Sequence, residues 1–174
     1  MLILRNKRYN VKSIHLILLF LIPICILSNS LPTFSFLDQY ENRINSKNLL
    51  GSPFVLLGCQ KEDIEICRKV GRKLYWKMQN LLWNDASRVK YVAYLNLKES
   101  NALIEKFITE SKNKEFESIY LDRKGELEIG LKSDFAYLRV FNAKGYEIYK
   151  DYFDQLTNEN INTIHELLKK ELKK

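Results

Sequence analysis

Two cysteines are the residues of this chain whose type and spacing best suit a specific chemistry. Seven residues separate Cys59 from Cys67, and the third cysteine, Cys25, lies in an apolar N-terminal segment. A thiol pair can exchange disulfides, bind a soft metal ion, close a structural disulfide or remain buried as two small apolar side chains. The residues alone leave three alternatives open: a structural disulfide, inert buried thiols, or a functional redox or metal pair.

Other catalytic and ligand-binding patterns are missing from the sequence. His165 is the one histidine after the N-terminal segment, which leaves little basis for a catalytic triad or for a zinc or copper site with imidazole ligands. No glycine-rich run matches a phosphate-binding or dinucleotide-binding loop, and the acidic residues are scattered. We therefore expect no cofactor, no metal site and no nucleotide partner. The only candidate catalytic residues are Cys59 and Cys67, which are also the disulfide candidate.

The N-terminal segment predicts export. Residues 1–13 are basic and polar, Leu16–Leu27 is an unbroken apolar run, and Ser28-Asn29-Ser30 ends in small side chains. This pattern is typical of a secretory signal peptide cut after residue 30. An uncleaved membrane anchor is the alternative, whereas a lipid on Cys25 is disfavoured because Ile24 precedes it. We expect an exported protein, periplasmic or membrane-anchored and facing the periplasm.

The charge balance argues against a nucleic-acid partner. The chain has 28 basic and 21 acidic residues, a formal charge of +7. Four of the basic residues lie in the first thirty positions, which hold no acid, so the rest of the chain is nearly balanced. We expect the partner to be an envelope protein or a membrane surface.

The elements around the two cysteines alternate between strands and helices. Pro53–Cys59 and Tyr91–Leu97 are short, continuous apolar runs, which predict strands buried on both faces. One helix is expected from its N-cap Asp63 and another from Ser100. The core residues predicted for the second helix are Leu103, Ile104, Phe107 and Ile108. A strand–helix–strand order predicts a parallel pair of strands joined by a right-handed crossover.

The first helix is predicted to have one apolar and one basic face. Its apolar stripe comprises Ile64, Cys67, Gly71, Leu74, Met78 and Leu81, and the basic residues off that stripe are Arg68, Lys69, Arg72, Lys73 and Lys77. We interpret the basic set as a solvated helix face; a patch for anionic lipid or an acidic partner is the alternative. The aromatics Tyr75, Trp76 and Trp83 are expected to pack against neighbouring segments rather than form a binding surface.

The C-terminal half predicts short strands joined by tight turns. Ile119–Leu121 is followed by Asp122–Gly125 and a further strand at Glu126–Ile129, and Asn142–Gly145 joins Ala136–Phe141 to Tyr146–Tyr149. In each turn an Asp or Asn side chain opens the turn and a glycine takes the left-handed position. A final helix over Asn158–Leu172 is expected, with Thr157 as N-cap and a core face of Ile161, Ile164, Leu168 and Leu172.

This order, βαβα followed by antiparallel strands and a closing helix, resembles a thioredoxin-like fold, a single α/β domain with a central mixed sheet flanked by helices. Within that superfamily the C-terminal half resembles the exported YtfJ family through LDRKG (Leu121–Gly125), VFNAKG (Val140–Gly145) and the pair Leu156-Thr157. The resemblance implies a domain over residues 49–174, after the segment 1–30 and a lead-in at 31–48. It also implies an envelope location, but no reaction, because that family has no established one.

Two hallmarks of thioredoxin-type disulfide exchange are absent. The usual Cys-x-x-Cys spacing is replaced by seven intervening residues, and no proline lies near Ala136, where the superfamily places one before its third core strand. We predict an exported thioredoxin-like protein with a non-catalytic binding or structural role. The alternatives are a redox protein with Cys59 as attacking and Cys67 as resolving thiol, and a metal carrier that uses both thiolates.

Overall fold

The computed structural model describes residues 30–103, 106, 108 and 118–174. Residues 1–29 of the expected signal segment, which include Cys25, and the expected core residues Ile104 and Phe107 lie outside the described residues. Within the described part of the chain, no helix has the length and hydropathy needed to cross a bilayer.

Seven strands form one mixed sheet in this part of the chain. They are β1 (Ser35–Asp38), β2 (Arg43–Asn45), β3 (Phe54–Gln60), β4 (Lys90–Asn96), β5 (Ile119–Asp122), β6 (Ala136–Phe141) and β7 (Glu147–Phe153), in the order β2-β1-β5-β4-β3-β6-β7. The predicted parallel pair β3–β4 is confirmed. β6 and β7 continue the sheet as an antiparallel pair beyond β3.

The strands after the second helix were predicted to be antiparallel, but β5 pairs in parallel with β4. A parallel pair needs a crossover of a dozen or more residues, and the chain between Asn96 and Ile119 is long enough to supply one. The three parallel strands β3, β4 and β5 therefore end at the same edge of the sheet.

The lead-in segment contributes the hairpin β1–β2, which the sequence pattern did not predict. The Asp38 carboxylate accepts hydrogen bonds from the Tyr40 and Asn42 amides, each 2.8 Å long, and from the Ser118 hydroxyl at 2.8 Å. Burial raises the pKa of Asp38, but these hydrogen bonds outweigh it and hold the pKa below its ordinary value. The carboxylate thus ties the hairpin to the start of β5.

Two long helices lie side by side on one face of the sheet, α1 (Ile64–Leu82) and α2 (Asn158–Leu172). The Lys73 ammonium donates to the Leu156 carbonyl at 2.6 Å, and the Arg88 guanidinium donates to the Leu172 carbonyl at 3.1 Å. The core beneath the helices includes Leu57, Cys59, Leu95 and Leu138. The opposite face is covered by a second apolar cluster, which includes Phe34, Phe36, Leu49, Phe54, Tyr94, Leu127 and Phe141.

The apolar stripe of α1 is largely as predicted. Its buried residues are Cys67, Val70, Leu74, Met78 and Leu82. Leu81 was predicted to be buried, but it is exposed and Leu82 is buried instead. At 100° per residue the two leucines lie on opposite edges of the apolar stripe, so the sequence pattern alone does not tell which of them faces the core. Of the core residues predicted for the helix after Ser100, Ile108 is buried as predicted and Leu103 is exposed.

The two glycine turns form as predicted. The Asp122 carboxylate accepts from the amides of Glu126 and Leu127, at 2.9 and 2.8 Å, and Gly125 has a φ of +70°. Asn142 opens the equivalent turn after β6, which closes at Gly145 with a φ of +81°. The strand expected at Glu126–Ile129 is wrong, because Asp122 holds the first two of its amides in a turn.

The closing helix α2 has the predicted bounds. Thr157 Oγ1 accepts from the Asn160 amide at 3.2 Å, and the Asn160 side chain accepts from the Thr157 amide at 2.9 Å, which completes a capping box. All four residues of its predicted core face are buried.

Candidate redox site at the carboxyl edge of the parallel strands

The two cysteines are joined in a disulfide. Cys59 is the last residue but one of β3, and Cys67 is the fourth residue of α1. A single 3-10 turn, Lys61–Asp63, connects the two elements and folds the start of α1 back over the end of its own strand. The resulting Cα–Cα distance of 6.0 Å lies within the range that a disulfide requires.

The disulfide is buried in apolar surroundings. Cys59 has an exposed fraction of 0% and Cys67 of 1%. Both belong to the core cluster under the helices, together with Leu57, Val70 and Leu95. A thiolate must approach a disulfide sulfur to exchange with it, and in this structure neither cysteine has more than 1% of its surface exposed.

The disulfide lies at the edge where α/β sheets commonly bind ligands, the carboxyl ends of the parallel strands. Gln60, Asn96 and Asp122 are in register there, one from each of β3, β4 and β5. The Asn96 amide donates to the Gln60 side chain at 2.9 Å, and Asp122 accepts from two backbone amides of the turn that follows it. Gln60 and Asn96 thus bond to each other, and Asp122 bonds to the turn after β5.

Asp63 lies inside the loop that the disulfide closes, midway between the cysteines. Asp63 was predicted to cap α1, and it directly precedes that helix, but its side chain makes no capping hydrogen bond. Its carboxylate instead accepts a hydrogen bond from the Asp134 amide at 3.1 Å. Burial raises its pKa, and the charges of Asp134 and Glu62 add to that effect. Its position midway between the cysteines is the sequence signal for this placement.

The alternative of a thiolate metal carrier needs free sulfurs. In the structure both sulfurs are committed to the disulfide, and the described residues contain no group of three histidine, cysteine, aspartate or glutamate side chains placed to hold an ion. His165 lies on α2 with Nδ1 3.1 Å from the Glu166 carboxylate, remote in sequence from the cysteines. The structure does not bring it to them.

A buried polar cluster on the opposite face was not predicted. Arg139 on β6 donates to the Tyr94 hydroxyl at 3.1 Å, and that hydroxyl donates to the Leu127 carbonyl at 3.1 Å. Burial raises the pKa of Tyr94 to about 12, so the phenol stays protonated. Gly58 makes room for this ring, since a Cβ there would overlap it.

The aromatic residues of α1 correct a second expectation. Trp76 is 60% exposed and Trp83 is 76% exposed, and Tyr75 is also exposed. Tyr75 packs edge-on against Tyr91 of β4 as expected, but the exposed Trp76 and Trp83 do not pack into the lead-in segment or the sheet edge.

Solved structures with this arrangement of strands and helices include thiol–disulfide proteins. A putative protein disulfide isomerase from Bacteroides thetaiotaomicron superposes with a TM-score of 0.59 at 11% identity, covering 87% of this chain and 92% of that one. A putative thiol:disulfide interchange protein DsbE from Chlorobium tepidum superposes with a TM-score of 0.57 at 13% identity, covering 83% and 96%. The chain has a thioredoxin-like fold.

The fold is shared with proteins of other chemistry as well. The copper-bound ScoI of Bradyrhizobium japonicum superposes with a TM-score of 0.52 at 12% identity, covering 82% of this chain and 99% of that one. No protein-family model matches the sequence, and no curated protein matches it. Identities this low show the fold alone, so the chemistry must be argued from the residues of this chain.

Proposed function

We propose that this is an exported, YtfJ-like protein of thioredoxin-like fold that acts by binding in the cell envelope, and that Cys59–Cys67 is its structural disulfide. The complete burial of both cysteines carries the proposal. The wide spacing of the cysteines and the absence of a proline near Ala136 support it. The LDRKG and VFNAKG turns support the likeness to the YtfJ family, since they fold as the motifs predict.

The redox alternative has its own support. The disulfide lies at the end of β3 and in the first turns of α1, at the carboxyl edge of a fold that thiol–disulfide proteins share. In this alternative Cys59 attacks and Cys67 resolves, and a local opening of the loop between them must first expose a sulfur.

Reduction kinetics separate the two functions. The oxidised protein is treated with dithiothreitol in its folded state and, as a control, in denaturant, and free thiols are trapped by alkylation over time. We expect the folded protein to react at least about a hundredfold more slowly, because an opening of the core must precede attack. Folded and unfolded chains that react at similar rates would support the redox function and contradict the proposal.

Export is tested by the mass of the protein recovered from the envelope. We expect the chain to begin at Leu31 and to take up no alkyl group before reduction. A chain that retains residues 1–30 would instead support the membrane anchor.

A further inference from the structure

The outer surface of α1 combines positive charge with an exposed tryptophan. We call this surface, made by Lys69, Arg72, Lys73, Trp76 and Lys77, the basic face of α1. At 100° per residue Trp76 lies diametrically opposite the middle of the buried stripe, and the basic side chains flank it on both sides. Packing against the sheet therefore does not account for the tryptophan.

The charge of this helix is one-sided. Between Glu65 and Asp85 the chain has five basic residues and no acidic residue. Glu65 is committed to Arg68 at 2.7 Å. Lys69 and Lys77 are exposed and make no ion pair within the described part of the chain, so their charge faces outward.

Both tryptophans of the chain belong to this region. Trp83 directly follows the last residue of α1 and is the more exposed of the two. Tryptophan is large and mostly apolar and is buried on average in globular proteins, whereas at a membrane interface its ring lies at the level of the headgroups. Lysines beside such rings are attracted by anionic lipid.

From this combination we propose that the basic face of α1 docks the protein on the surface of an anionic bilayer, with Trp76 at headgroup depth. The helix spans about 28 Å along this face, so several headgroups can contact it at once. The occupant is a lipid surface rather than an acidic protein because an exposed tryptophan lies beside the lysines, and a membrane interface attracts both kinds of side chain. The proposal is independent of the redox state of Cys59 and Cys67.

The tryptophans themselves report on this docking. The exported protein is mixed with vesicles of phosphatidylcholine alone or of phosphatidylcholine with about one third phosphatidylglycerol, and the phosphatidylcholine of both preparations carries brominated acyl chains. Bromine quenches only rings that enter the bilayer interface, and the chain has no other tryptophan, so residues 1–29 contribute no signal. We expect a blue shift and quenching with the anionic vesicles only, reversed by about 1 M salt, where the screening length falls to about 3 Å.

Matched charge variants locate the contact. Lys69→Gln/Lys77→Gln removes two charges from the basic face, and Lys124→Gln/Lys144→Gln removes two from exposed turns after β5 and β6. A lysine near an anionic surface strengthens binding by about fivefold, so we expect about a 30-fold weaker affinity for the first variant and little change for the control.

Three results would overturn the proposal. They are unquenched emission at millimolar anionic lipid, an equal loss of affinity in both variants, and a blue shift with soluble polyglutamate but not with vesicles. The last result would assign the basic face to an acidic protein instead.

Discussion

Gly58 shows how a single residue decides the packing of this sheet. It lies beside Tyr94 in the β3–β4 pair, and its missing side chain leaves space for the tyrosine ring. The ring cannot move aside without breaking its hydrogen bonds to Leu127 and Arg139. The sequence showed a glycine inside an apolar strand, but it could not show which ring fills the space, because that ring comes from a different strand.

Gly58→Ala is therefore expected to lower the free energy of unfolding by about 1–3 kcal/mol, the usual cost of overpacking a core. Gly71→Ala is the matched control, because a Cβ there meets only the flexible end of the Leu57 side chain and alanine favours the helix. Urea denaturation of both variants measures the difference. A Gly58→Ala protein as stable as the parent would contradict the described packing.

The lowered pKa of Asp38 makes the stability of the fold depend on pH. Its pKa in the folded state lies below the ordinary value of 3.8, so its carboxylate stabilises the fold above that pH, and this contribution is lost as the pH falls through the lowered pKa. We expect Asp38→Asn to be less stable than the parent at pH 7, and the difference to shrink toward pH 2. Urea denaturation at several pH values checks this, and a difference that grows on acidification would contradict the assignment.

Among the elements, local signals predicted α2 and the two glycine turns best. A capping threonine, an apolar period of 3.6 and the turn residues Asp122, Gly125, Asn142 and Gly145 act within a few positions of the chain. The hairpin β1–β2 and the parallel pairing of β5 depend on contacts between distant segments. One such contact is the hydrogen bond from Ser118 to Asp38, and no local sequence pattern predicts it.

The capping box of α2 gives a prediction at this scale. Thr157→Ala removes the hydroxyl that accepts the Asn160 amide and should lower the free energy of unfolding by about 1 kcal/mol. Thr163→Ala changes the same residue type at an exposed position inside α2 and should cost nothing, since alanine favours helix interiors. Equal effects of the two substitutions on the thermal midpoint would contradict the role of the cap.

At the scale of the whole molecule, the predicted order of strands and helices resembled a thioredoxin-like fold, and the structure has that fold. The same patterns could not decide the role of the cysteines, because burial depends on how α1 packs against β3. They also suggested that Trp76 and Trp83 pack inward, whereas both are largely exposed. The function of a fold depends on particular sites, and periodicity does not describe them.

The disulfide itself has a predictable contribution to the stability of the molecule. It closes a short loop, so the double variant Cys59→Ala/Cys67→Ala is expected to keep the fold but lose about 2–3 kcal/mol of unfolding free energy. Circular dichroism and urea denaturation measure both. An unchanged stability would mean that the disulfide does not act as a structural staple.

The reduction potential of the Cys59–Cys67 disulfide tests the central claim most directly. The folded protein is equilibrated across a series of thiol–disulfide buffers, alkylated, and weighed by intact-mass spectrometry. A buried structural disulfide predicts a potential below about −300 mV. A potential between about −120 and −230 mV in a protein that stays folded, the range of oxidants and disulfide-exchange proteins, would contradict the structural role and establish the pair as redox-active.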